Sequence, residues 1–164
     1  VDVIDGAIAL TGLSKSYGLP GLRSGWLVVP DDDARSRIAS WKHYTTICAS
    51  APVEWLTECA LAVRHELWDG HRARVERNVA HVEELLERHP EFMWRRPEGS
   101  STALMHTPFD DVVARCHRWA TDHGVVVLPG VFLGAPADTV RIGLGREALP
   151  AALKAFEAAL SEGP

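Results

Sequence analysis

Hydrophobic positions recur with two different periods along the chain, and each predicts its own kind of element. Residues 7–10 and 26–29 are short unbroken apolar runs, which predict two brief buried strands. Asp31, Asp32 and Asp33 follow Pro30 and predict the cap and acidic first turn of a helix over residues 31–44. Ser50-Ala51-Pro52 predicts the start of a second helix, over 50–67. A third is expected over 69–88, where Val75, Val79, Val82 and Leu86 form one apolar stripe. Its other face, with Arg72, Arg74, Arg77, Glu83, Glu84 and Glu87, reads as solvated, and His89-Pro90 stops it.

Beyond that stop, strands are predicted over 92–95 and 102–106, around the turn Pro97-Glu-Gly-Ser100. Asp110 or Asp111 caps a helix to about His123, with Val113, Cys116 and Ala120 on its inner face and Gly124 ending it. Strands over 125–128 and 139–144 flank the Pro129-Gly130 turn. A last helix from residue 148 carries Leu149, Leu153, Phe156 and Leu160 on one stripe. This half reads as α+β, a small sheet covered by helices.

Composition narrows the classes. The 164 residues are 46% hydrophobic and 24% charged, enough for a sizeable core and unlike a disordered chain. Seventeen basic and 22 acidic residues give a net charge of −5, and no Lys/Arg run forms a patch for nucleic acid. No apolar stretch has the length of a membrane span and no signal peptide is visible. Cys48, Cys59 and Cys116 are odd in number and lack a Cys-x-x-Cys spacing, so they read as free thiols of a reducing, cytoplasmic compartment. The eight histidines offer no helical zinc pair: neither His65 and His71 nor His117 and His123 are four apart, so no metal is expected. Neither a P-loop nor a Gly-x-Ser-x-Gly elbow is present.

Two stretches carry chemistry. Lys15 sits between the first two predicted strands, with Arg23 eight residues on and Gly18, Gly21 and Gly25 around it. A lysine desolvated between buried strands favours the free amine that a Schiff base requires. The same residue types also fit a solvated lysine in a Gly/Pro-rich loop. In Val140-Arg-Ile-Gly-Leu-Gly145, Arg141 alternates with apolar neighbours. There it is either a buried charge needing a carboxylate partner or an edge-strand arginine facing water.

The string Gly-Leu-Ser-Lys-Ser-Tyr-Gly-Leu-Pro-Gly-Leu-Arg-Ser-Gly-Trp, residues 12–26, resembles the cofactor-lysine signature of class I/II, fold-type I aminotransferases. Arg141 and the upstream Val127-Leu-Pro-Gly130 match the family's C-terminal segment in the same order. The resemblance implies pyridoxal 5'-phosphate (PLP) as cofactor, with Lys15 as Schiff-base lysine and proton shuttle. Arg23 would bind the cofactor phosphate, Ser14 would contact the phosphate or lysine, and Arg141 would bind the substrate α-carboxylate. Many relatives carry Ser or Thr three residues before the lysine; this chain has Gly12.

The implied fold is α/β, the C-terminal part of a fold-type I PLP-dependent transferase. Residues 1–70 would end the large PLP-binding domain and 71–164 would form the small C-terminal domain, with the boundary near 68–75. The implied reaction moves an amino group between an amino acid and a 2-oxo acid in a homodimer, where residues 45–52, with Thr46 and Ser50, approach the partner's cofactor. The aspartate that pairs with the ring nitrogen, an Asp-x-x-Tyr segment and a phosphate-cradling helix precede the lysine in relatives. Only fourteen residues precede Lys15, and Asp2 and Asp5 do not match, so the chain is expected to begin mid-protein as a fragment or one piece of a split enzyme. Competing readings are a PLP-dependent decarboxylase or a lyase/cyclase like capreomycidine synthase, the last supported by Tyr44-Thr-Thr-Ile-Cys48 near Ser50-Ala-Pro52. A noncatalytic PLP-sensing regulator domain and a dimerisation remnant also remain.

Overall fold

A computed structural model describes residues 6–161, and Asp2 and Asp5 lie outside that range. The chain divides after His71 into two compact units, each described by itself. In the first, the apolar runs pair as an antiparallel ribbon of β1 (Ala9–Gly12) and β2 (Gly25–Val28), with Leu10 opposite Leu27 and Gly12 opposite Gly25. The expectation of buried strands is corrected: Ile8, Leu10, Leu27 and Val28 are 51%, 78%, 44% and 42% exposed. An unbroken apolar run suits a strand covered on both faces, whereas this ribbon has only two strands and no such cover among the described residues.

The helix α2 (Asp32–Thr45) starts as its acids predict, with the Asp31 carboxylate accepting from the Ala34 amide at 2.6 Å. Ser50 precedes α3 (Ala51–Ala62) and Pro52 lies in its first turn, although the Ser50 side chain makes no cap bond. The expected helix over 50–67 stops early: α4 (Arg64–Arg88) begins immediately after Val63, whose amide turns to the Leu61 carbonyl. Neither Gly nor Pro marks this break, so residue types could not locate it.

In the second unit α4 buries Asn78, Val79, Val82 and Leu85, close to the predicted stripe. A four-stranded antiparallel sheet runs β3 (Met93–Trp94), β4 (Thr102–His106), β6 (Thr139–Gly143) and β5 (Leu128–Pro129) in spatial order. Asp111 caps α5 (Val112–His123), its carboxylate accepting from Ala114 at 2.9 Å, and Gly124 ends it in the left-handed conformation at φ 66°. The buried face of α5 is Val112, Cys116 and Trp119 rather than Val113, Cys116 and Ala120. Trp119 decides that rotation, with its ring centroid 4.9 Å from Phe156 on α6 (Leu149–Leu160) and 5.7 Å from Phe109, both edge to face. Phe92 closes the same cluster, 5.8 Å from Phe156. The terminal stripe holds, with Leu149 and Phe156 buried and Leu153 and Leu160 packed against the core.

Two residues of the supposedly solvated face of α4, Arg74 and Glu83, are half-buried. Arg74 Nη2 donates to Glu147 Oε1 at 2.9 Å. Beside it, buried Asn78 donates from Nδ2 to the carbonyls of Leu144 (2.7 Å) and Arg146 (2.8 Å), tying α4 to the segment that follows β6.

Candidate active site

Lys15 is the third residue of α1 (Leu13–Ser16), a single helical turn that leaves β1 without a linker. Its frame is set by Leu13, the only side chain of this unit with 0% exposure among the described residues. The Leu13 amide donates to the Ser24 carbonyl at 3.2 Å, and the Leu13 carbonyl accepts from the Leu19 amide at 3.0 Å. The loop is therefore fastened twice at the backbone of one buried residue. Between the two fastenings, Gly18 takes φ 69°, which an L side chain rarely adopts.

A short 3-10 turn, Pro20–Leu22, then delivers Arg23 in the left-handed region at φ 51°, ψ 33°. For a non-glycine residue that conformation costs about 1–2 kcal/mol, a kind of strain found at functional sites. The Arg23 amide closes on the Pro20 carbonyl at 3.4 Å and its Nη1 donates to the same oxygen at 3.0 Å. Among the described residues no ion pair holds Arg23 or Lys15, and both side chains are exposed. Ser14 is half-buried on the same turn as Lys15.

The structure thus brings Lys15, Ser14 and Arg23 onto one fastened loop. It does not supply the desolvation expected around Lys15, because the ribbon that should provide it is exposed. It does explain Gly12. A Cβ there would lie 2.7 Å from the Ser24 carbonyl oxygen, and one on Gly25 would lie 2.8 Å from that of Thr11, so neither position accepts a side chain without a backbone shift.

Arg141 belongs to the second unit. It pairs with Leu104 on one side and Leu128 on the other, so its strand is interior to the sheet rather than an edge. The pleat buries Val140 and Ile142 and leaves Arg141 exposed on the opposite face. No buried charge needs compensation there, and among the described residues no ion pair holds the guanidinium. Arg146 is also exposed, beyond the strand.

Cys48 and Cys59 are exposed free thiols, whereas burial pushes the Cys116 thiol up to about 11. Among the described residues no three His, Cys, Asp or Glu side chains gather as a metal site, and no helix is long and apolar enough to cross a membrane. Pattern reading missed His71 and Asn78. His71 packs against Gly18 from 53 positions away, and Asn78 bonds backbone 66 and 68 positions away, so no local period could signal either.

A family model described as aminotransferase class I and II matches residues 1–156. Capreomycidine synthase of Streptomyces vinaceus is 36% identical over 150 residues, covering 85% of this chain and 36% of that protein. A crystal structure of a PLP-dependent aminotransferase from Streptococcus suis is similar with TM-score 0.90 at 29% identity, covering 98% of this chain and 43% of that one. The PLP-dependent cyclase OrfR is similar with TM-score 0.85 at 30% identity, over 94% of this chain and 43% of that one. The chain spans less than half the length of each of these relatives.

Proposed function

The chain belongs to the class I and II aminotransferase family, and from that premise we propose that it carries the lysine and arginines of a PLP enzyme that transfers amino groups. The observation that carries this reading is the fastened loop, which holds an amine and a guanidinium on one short segment. The donor set fits the cofactor: an amine for its aldehyde and a planar fork for its phosphate.

Lys15 Nζ is the attachment point for the cofactor aldehyde and, once released, the base that moves a proton at the substrate Cα. Arg23 takes the phosphate with the guanidinium donors that do not serve Pro20, and the Ser14 hydroxyl lies on the same turn to assist. Arg141, exposed on its strand, takes the substrate α-carboxylate. Bound PLP supplies the electrophilic carbonyl and a ring that stabilises negative charge on the substrate carbon. The substrates are an amino acid and a 2-oxo acid.

A second reading has its own support. Capreomycidine synthase and OrfR are at least as identical in sequence to this chain, at 36% and 30%, as the aminotransferase structure at 29%, which favours cyclisation or elimination on the same lysine. The two readings share every residue role and differ only in product. Residues 1–70 then end the large domain and 71–164 form the small one, a reading supported by the division after His71. A homodimer in a reducing cytoplasm completes the proposal. It is supported by the apolar surface of Trp41, Tyr44, Ile47 and Trp55, 72%, 89%, 71% and 64% exposed, and by the free thiols.

The test is visible absorbance on adding PLP, followed by borohydride trapping and peptide mapping. Label at Lys15, absent in Lys15→Ala, is the expected result; label spread evenly over Lys15, Lys42 and Lys154 would sink the cofactor reading. Products are then compared in a polypeptide that carries the rest of the family fold: a 2-oxo acid marks transamination and a ring-closed product marks cyclisation.

A further inference from the structure

We infer that His71 is a positioning residue for Lys15, acting through the turn at Gly18. The inference rests on the cofactor role of Lys15 proposed above and adds a residue on a distant element to it. His71 stands on α4, in the same unit as the lysine loop. A Cβ built on Gly18 would lie 2.9 Å from His71 Nδ1 and 3.4 Å from both Cγ and Cε1. The imidazole therefore lies close against the glycine, three residues after Lys15 and directly before the Leu19 amide that closes the loop on Leu13.

The nitrogen that faces the turn is buried and has no hydrogen-bond partner among the described residues. Such an unpaired atom costs about 1–3 kcal/mol, a cost that an apolar ring would avoid. Placing that ring under the one left-handed glycine of the lysine loop stiffens a segment whose Lys15 and Ser16 are exposed. Leu13 anchors the loop from within its own sequence, and His71 supports it from α4. With the φ of Gly18 held, Leu19 stays on the Leu13 carbonyl, and α1 presents Lys15 in one orientation. Without the ring the turn gains freedom, and the amine samples positions from which attack on an aldehyde is slower.

The experiment compares the unsubstituted chain with His71→Ala and His71→Phe. Two readouts are taken: hydrogen exchange of the Leu19 amide, and the rate at which PLP is trapped on Lys15 relative to Lys42 and Lys154 in the same molecules. His71→Ala is expected to raise Leu19 exchange roughly tenfold, because the turn opens locally more often. It should slow trapping at Lys15 several-fold while leaving the two reference lysines unchanged. His71→Phe keeps a ring against Gly18 and should restore both values to near those of the unsubstituted chain. A His71→Ala chain with unaltered exchange and unaltered Lys15 trapping overturns the inference. So does equal impairment in both variants, because the ring would then not be the acting feature. Failure of the cofactor reading looks different: Lys15 would be trapped no faster than Lys42 and Lys154 in the unsubstituted chain, and the exchange of Leu19 would still decide on His71.

Discussion

Asn78→Leu is the substitution for which local geometry gives the sharpest expectation. Asn78 is 3% exposed and donates to two carbonyls, of Leu144 at 2.7 Å and of Arg146 at 2.8 Å. Both partners are acceptors, so the amide must present its NH2 group to them; the orientation follows from chemistry. Leucine has the same branched skeleton and opens no cavity, but its methyl groups are bulkier than the amide oxygen and nitrogen, so a part of any loss is overpacking. Two neutral bonds contribute about 0.5–1.5 kcal/mol each, and a buried carbonyl left unpaired adds about 1–3 kcal/mol. The expected loss is therefore about 2–6 kcal/mol. Asn78→Ala should lose a comparable amount, because water that enters its cavity re-pairs the carbonyls while packing is lost. Urea unfolding followed by circular dichroism reads the loss. Exchange at the Leu144 amide, bonded to the Ser101 carbonyl at 2.7 Å, shows whether the damage is centred on this segment. An Asn78→Leu chain within about 0.5 kcal/mol of the original would refute the reasoning, since the donor role would then be dispensable.

Three further outcomes are expected. Arg23→Asn keeps a residue that tolerates the left-handed region, so thermal stability should hold while PLP affinity falls roughly 10–100-fold with the loss of charge-assisted bonds; unchanged affinity in a spectroscopic titration would remove Arg23 from the phosphate. Gly130→Ala places a Cβ 1.9 Å from Thr139 Oγ1 and 3.0 Å from the Pro136 carbonyl oxygen, and should destabilise the second unit by about 1–3 kcal/mol in calorimetry. Glu157 is held below the ordinary glutamate range, chiefly by its hydrogen bonds from Arg88 at 2.6 and 3.2 Å and secondarily by His89. Its stabilising contribution is present above the unfolded glutamate value and is lost as pH falls through the lowered native one; Glu157→Gln should flatten the stability profile across that acid window, and an unchanged profile would contradict the assignment.

What could be read from the sequence divides along a physical line. Elements whose cause is local were legible. Asp31 and Asp111 each cap the helix that their position predicts, Gly124 ends α5, and the stripe from Leu149 to Leu160 buries as its period requires. Features that depend on which neighbour covers an element were not. The run over residues 7–10 has the composition of a buried strand, yet Leu10 is 78% exposed, because burial is a property of the facing layer and not of the strand. The one-residue rotation of α5 has the same origin: Val113 and Val112 are equivalent in the sequence, and only the fit of Trp119 against Phe156 chooses between them.

The candidate site falls on both sides of that line, and this bears on how the lysine works. Its loop is local: Gly12, Gly18 and Gly25 stand where backbone approaches or a positive φ demand them, and the two fastenings at Leu13 need only residues 13–24. The placement of the amine is thus already built into the described residues. Its activation is a different matter, since desolvation requires a layer over β1 and β2 that these residues do not provide. Geometry and reactivity are therefore separable here. A lysine held in position but left exposed should be trapped at Lys15 in preference to Lys42 and Lys154, and should gain further when the ribbon is covered. If covering the ribbon left the trapping rate unchanged, burial would not be what activates Lys15, and the turn held by Leu13 and His71 would carry the whole effect.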